Sequence, residues 1–164
     1  MKKPEGLRRL LEATVPGLAA NPDRLEMHVD VGRVAAREGS TLSFQYRYTL
    51  TIVVQDFASD VDMLTVPLIA WIAKAQPELL RVGNQEPFQF RAEILDDQRV
   101  DVEFTLELSE NVRVVARAGG GYDVAHLPEP AAEHDCVDDG EQNLWRIFLN
   151  DELVAESDDP AAHQ

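Results

Sequence analysis

Residues 43–77 read SFQYRYTLTIVVQDFASDVDMLTVPLIAWIAKAQP, and the fold turns on how this stretch is divided. Phe44, Tyr46, Tyr48, Leu50, Ile52 and Val54 alternate with Gln45, Arg47, Thr49, Thr51, Val53 and Gln55. That period of two predicts a strand with one buried face. Asp56-Phe57-Ala58-Ser59-Asp60 then predicts a turn. Ser59 with Asp62 three positions on has the spacing of a capping box, and Asp60 adds negative charge where a helix N-terminus is positive. Val61, Leu64, Leu68, Trp71, Ile72 and Ala75 follow at helical spacing, and Gln76-Pro77 ends the pattern. Val66, Ile69, Ala70 and Ala73 widen the apolar face of this helix beyond an ordinary stripe. Such a helix is covered on more than one side, by the sheet and a second helix or by another subunit. Pro67 lacks a donor and predicts a bend or a loosened turn.

Working outward, residues 1–20 predict a helix with Leu7, Leu10, Leu11, Val15 and Leu18 inside, bent near Pro16 and broken at Asn21-Pro22-Asp23. Residues 25–37 predict a strand in which Leu25, Met27, Val29 and Val31 alternate with Glu26, His28, Asp30 and Gly32. Gly32 marks a candidate bulge, and Glu38-Gly39-Ser40 leads back into the central strand. Residues 78–87 predict a loop tied down at Leu79, Leu80 and Val82. A second hairpin pairs residues 88–95 with 99–110 around Asp96-Asp97-Gln98. Residues 111–118 and 122–127 are shorter strand candidates on either side of Gly119-Gly120-Gly121. These elements predict an α+β fold. A mostly antiparallel sheet of four to six strands carries two helices on one face, and a tethered C-terminal β-hairpin follows. The expected organisation is an assembly domain over 1–127, an acidic Pro/Ala-rich linker over 128–142, a hairpin over 143–156 and a flexible end over 157–164. So small a hairpin is not stable alone and needs a surface to dock on.

The formal charge is −15 over 164 residues, which argues against a general nucleic-acid binder. The charge is uneven. From Gly120 onward there are twelve acidic residues and one arginine, Arg146, against eighteen acidic and fourteen basic residues before it. The acidic tail either solubilises or engages a basic surface. No apolar run is long enough to cross a bilayer, and Glu5, Arg8, Arg9 and Glu12 interrupt any leader-like segment. The single Cys136 leaves no internal disulfide and fits synthesis in a reducing compartment.

No Gly-rich phosphate loop, H-E-x-x-H, C-x-x-C or G-x-S-x-G is present, so no catalytic residue, metal ligand or cofactor is expected and the chain does not read as an enzyme. His28 between Glu26 and Asp30 reads as a solvated strand face, and Asp96, Asp97 and Asp101 as a turn and its flank, ahead of metal sites. The candidate subunit or partner contacts are Arg8, Arg9, Val66, Ile69, Ala70, Trp71, Trp145, Ile147, Phe148 and Leu149. For Trp71 a place in the core competes with that role. Trp145 sits in the appended hairpin, where aromatic anchors serve neighbouring surfaces.

The chain also resembles the tail completion protein R family of P2-type contractile-tailed phages. The residues that carry the resemblance are Lys3-Pro4 with Leu7-Arg8-Arg9, Asn21-Pro22-Asp23, Ser43-Phe44 with Arg47-Tyr48-Thr49-Leu50, Asp56-Phe57, Val66-Pro67 with Ala70-Trp71, Gln76-Pro77, and Leu149-Asn150 with Glu152-Leu153-Val154. The resemblance implies a structural protein of virion assembly that completes or terminates a contractile tail. It would form a homo-oligomer, by analogy a hexameric ring, on the head-proximal end of tube and sheath, and prepare that end for head or collar joining. Its partners would be tube, sheath and joining proteins, with no membrane and no specific nucleic-acid binding, although an acidic ring wall would make a non-adhesive DNA channel. Its place would be the virion tail, of an infectious phage, a prophage or a headless tail-like particle, assembled in the bacterial host cytoplasm. A transient assembly chaperone that binds a basic tail partner is the competing reading.

Overall fold

The computed structural model describes residues 1–81 and 86–129, and the backbone of two further strands within 145–157. The chain runs α1 (Lys3–Thr14), β1 (Leu25–Ala36), β2 (Phe44–Phe57), α2 (Asp62–Ala75), β3 (Gln89–Ile94), β4 (Val100–Ala116), β5 (Tyr122–His126), β6 (Trp145–Leu149) and β7 (Glu152–Ser157). β1 to β5 form one antiparallel sheet in the order β1-β2-β4-β3, with β5 paired to the far end of β4. β6 and β7 form a separate two-stranded sheet. This is the expected α+β architecture, and the backbone of β7 runs beside α1. Residues 130–142 of the expected linker, residues 143–144 of the expected hairpin, the end at 158–164, and the side chains of Trp145, Ile147, Phe148 and Leu149 lie outside the described residues, as does Val82.

The inner face of the sheet is the one the alternation marks. Tyr48, Leu50, Ile52 and Val54 of β2 and Val102, Phe104, Leu106 and Leu108 of β4 are buried against Leu7 and Leu11 of α1 and Leu64, Leu68 and Ile72 of α2. Each side chain of this size contributes about 1.5–3 kcal/mol on full burial. Both helices therefore lie on one face. The other face is polar, and the Thr49 hydroxyl donates to Glu107 at 2.7 Å across it.

Several local features differ from the sequence reading. α1 stops at Thr14, because a residue before proline is pushed out of the helical region and Val15 is extended ahead of Pro16. Pro16 thus ends the helix where a bend was expected. The β1 bulge falls at Asp30, between Val29 and Val31, two residues before Gly32. A second bulge, between Val54 and Phe57, adds one residue to β2. Asp56 takes a left-handed φ of 50° there, a conformation that aspartate tolerates better than most residues, and its N–H donates to Asp101 at 2.8 Å. The extra residue turns Phe57 inward, so it is a buried strand residue and not part of the turn. Ser59 makes no cap. The Asp60 carboxylate does, accepting the Asp62 N–H at 3.0 Å. α2 continues through Pro67, whose ring is buried. Leu79 and Leu80 pack against the core as expected, from a short 3-10 turn, Pro77–Leu80.

Residues 99–110 and 111–118 are one strand and not two. β4 runs unbroken past Asn111, and the turn to β5 uses Gly120 and Gly121 at positive φ. β3 has the expected alternation, yet every one of its residues is exposed.

Candidate functional site

The outer side of α2 is the first candidate. Asp62, Val66, Ile69 and Ala73 recur at intervals of four, three and four, which places them on one helical stripe. Val66 is 42 % exposed and Ile69 41 %, with Ala70 and Ala73 half-buried beside them. Leu64, Leu68 and Ile72 on the opposite side are fully buried. α2 is thus apolar on both sides, and the described residues bury only one of them. Trp71 belongs to the covered side. At 9 % exposure it is a core residue with little surface for a partner.

Arg8 and Arg9 diverge. The Arg8 guanidinium donates to the Leu25 carbonyl at 3.1 Å and lies 3.4 Å from Glu12, tying α1 to the start of β1. Arg9 is exposed and, among the described residues, reaches only its own helix, at the Glu5 carbonyl, 3.4 Å away. Of the two, Arg9 is the one presented outward.

The second feature is a buried polar cluster around Glu110, which periodicity does not reveal. Glu110 is 3 % exposed and stands on the inner face of β4. It accepts the backbone N–H groups of Lys2 at 2.9 Å and Lys3 at 3.3 Å, and the Tyr48 hydroxyl at 2.6 Å. The first-turn donors of α1 have no partner within the helix, so a strand carboxylate caps α1 where its dipole favours an anion. Burial pushes the Glu110 pKa up. The two N–H groups, the tyrosine and the N-terminal charge outweigh it and hold the carboxyl below the usual range. Burial first, then the bond to Glu110 and its charge, push the Tyr48 phenol up.

The same cluster closes a gap in the outer edge of β4. β3 pairs only as far as Thr105 and β5 begins at Val112. Between them the Ser109 N–H donates to the Gln76 side-chain oxygen at 3.2 Å, and the Gln76 amide donates to the Ser109 hydroxyl at 3.2 Å and to Glu78. The Lys3 ammonium donates to the same Gln76 oxygen at 2.5 Å and to Glu129 at 2.8 Å, in a pair mostly shielded from water. His126 brings Nδ1 to 2.8 Å from Glu110, off-axis for a hydrogen bond, and stacks over Tyr46. Lys3, Tyr48, Gln76, Ser109, Glu110, His126 and Glu129 thus fasten five distant parts of the chain. One signal in the sequence could have found part of this: Glu110 falls on the apolar phase of β4, where an acid needs partners.

Asp96 takes the Gln98 and Arg99 N–H groups at 2.9 Å each, which makes it the turn residue expected. The Arg99 guanidinium bridges Asp96 at 2.7 Å and Asp56 at 2.9 Å, and its bond holds the Asp96 carboxyl below the usual range. A cation is already supplied there by the chain itself. Among the described residues no group of three or more His, Cys, Asp or Glu side chains is placed to hold a metal ion. No described helix is long and apolar enough to cross a membrane.

A family model described as P2 phage tail completion protein R (GpR) matches residues 1–130. A curated relative, "Tail completion protein R" of Escherichia phage P2, is 35% identical over 161 residues, which cover 97% of this chain and 100% of the relative. No solved structure matches.

Proposed function

The chain belongs to the P2 phage tail completion protein R family, a structural family of phage tail completion, and from that premise we propose that it terminates a contractile tail as a ring of copies. On this reading six copies close on the head-proximal end of tube and sheath, after assembly in the host cytoplasm, and present a surface for head or collar joining. A closed ring uses the same two unlike faces on every copy. The observation that carries the reading is the uncovered apolar stripe of Val66, Ile69, Ala70 and Ala73 on a helix whose other side is core. Arg9 and the strands 145–149 and 152–157 are the further contacts proposed.

Mass measurement of the full protein, free and recovered on purified tails, tests this. The expected result is a defined higher oligomer in one or both states, stoichiometric in the particle, and its loss in V66D/I69D. Truncation after Leu127 assigns the grip to the C-terminal strands if assembly is lost with them. A monomer in both states overturns the ring, and absence from finished particles favours a transient chaperone.

A further inference from the structure

Among the described residues the five-stranded sheet ends on β1 at one side and on β3 and β5 at the other. A free edge offers unpaired N–H and C=O groups to another strand. The bulge between Val29 and Val31 twists β1 and spoils it as a template. β5 is short, and its acid, Asp123, is already held by Arg117. β3 has no bulge and no proline, and it pairs with β4 in unbroken register from Gln89 to Ile94. On its helix side Phe90 and Ile94 are 61 % and 81 % exposed, with the small Ala92 between them. Its other side carries Arg91 and Glu93, both exposed, with no ion pair or side-chain hydrogen bond among the described residues. Glu93 also stands directly opposite Asp101 on β4. Like charges in that position destabilise a sheet unless a cation joins them.

We propose that β3 is a self-complementary interaction strand, which pairs antiparallel with β3 of a second copy about a two-fold axis at Ala92. The occupant follows from the order of the residues. With Ala92 facing Ala92, Arg91 of each copy lies opposite Glu93 of the other, and Phe90 lies opposite Ile94. Ion pairs then form on the open face and apolar pairs on the helix side, each repeated by the two-fold. Each arginine brings the Glu93–Asp101 pair the cation it lacks. Sliding the strands by two residues sets Arg91 against Arg91 or Glu93 against Glu93. Sliding by one sets an apolar residue against a charged one. One register is therefore favoured over its neighbours. The chain's own acidic stretch does not meet the same need. Residues 130–144 hold five carboxylates and no lysine or arginine, so they bring Glu93 no cation. β6 and β7 pair with each other in a separate sheet. The contact uses neither the α2 stripe nor Arg9, so it goes beyond the ring reading and does not depend on it.

Opposed residues of an antiparallel pair hold their Cα atoms about 4.5–5.5 Å apart, within the span of a disulfide. The full protein carrying A92C/C136S is therefore expected to give a dimer-sized disulfide product under mild oxidation. F90C/C136S and I94C/C136S are expected to give it when mixed and not when oxidised separately. Adding E93R to A92C/C136S separates the contact from the fold. Within the chain E93R sets an arginine against Asp101 and relieves a repulsion, so the thermal midpoint is expected to hold or rise. Between copies it sets that arginine against Arg91. The product is expected to fall about tenfold, the size for two exposed pairs turned into repulsions. R91E added to E93R restores opposite signs and is expected to return the product to within about twofold. No dimer-sized product from A92C/C136S overturns the proposal. So does a product that E93R leaves unchanged or that R91E/E93R fails to restore. V66D/I69D leaves β3 intact and is expected to crosslink as well as the chain with α2 unaltered. Loss of the product there overturns β3 as a contact in its own right and leaves the ring standing.

Discussion

Phe104 and Ile94 stand on the same face of one sheet, on adjacent strands four register positions apart, yet one is 2 % exposed and the other 81 %. Both sit in strands of clean alternation. The difference is the reach of the helices. α2 starts near the β2 end that pairs with Val100 and ends where Gln76 meets Ser109, so it follows β4 and stops short of β3. The same limit appears on β1, where Leu25 is buried and Val34 is open to solvent although its register places it on the helix side. Alternation marks which face a side chain takes. Cover decides what that face contributes.

The largest expected effect is on the covered side. Phe104→Ala should cost about 3–5 kcal/mol of stability in denaturant unfolding, because the site is closed on all sides and leaves a cavity. A loss below about 1 kcal/mol would mean that the helices do not seal this part of the sheet.

Glu110→Gln tests the border between the two regions, and about 2 kcal/mol should be lost as the α1 cap and the Tyr48 partner weaken. The pH dependence gives a sharper reading. The folded-state pKa is depressed, so the carboxylate's contribution is present above the ordinary carboxylate range and is lost as pH falls through the folded value. The unmodified protein should therefore lose stability more steeply in acid than E110Q, and parallel curves would show that the charge is not what fastens α1.

Asp60→Ala weakens the helix that provides the cover and should cost about 1 kcal/mol by thermal unfolding. Ser59→Ala should change nothing measurable. The reverse order would restore the capping box. Ile94→Ser is expected to stay within about 0.5 kcal/mol in the isolated chain. A larger loss would show β3 covered by something the isolated fold does not supply.

Much of this was legible in advance. Tyr48 to Val54, Val102 to Leu108, and Leu7 with Leu11 announce the core through their spacing. The candidate stripe on α2 was legible too, since Val66 and Ile69 exceed what one buried face needs. Trp71 shares the core-facing spacing of Leu64, Leu68 and Ile72, and only packing showed how little of its surface is left for a partner. Phe57 was misplaced because a bulge depends on where Asp56 meets Asp101 on another strand. The Glu110 cluster stayed hidden since its members are as much as 126 positions apart, Lys3 to Glu129.

By itself the sequence determined the elements, the inner and outer phase of each strand, the acidic balance and, through the residues it shares with its relatives, the family. Period is complete within a short window of chain, and composition and residue order are fixed before any two distant segments meet. Tertiary structure alone decided how far the helices cover the sheet, how much of the second side of α2 is left open, and which charged groups meet. A carboxylate's partners and a side chain's cover are supplied by segments distant in the chain, and only packing brings them within bonding distance.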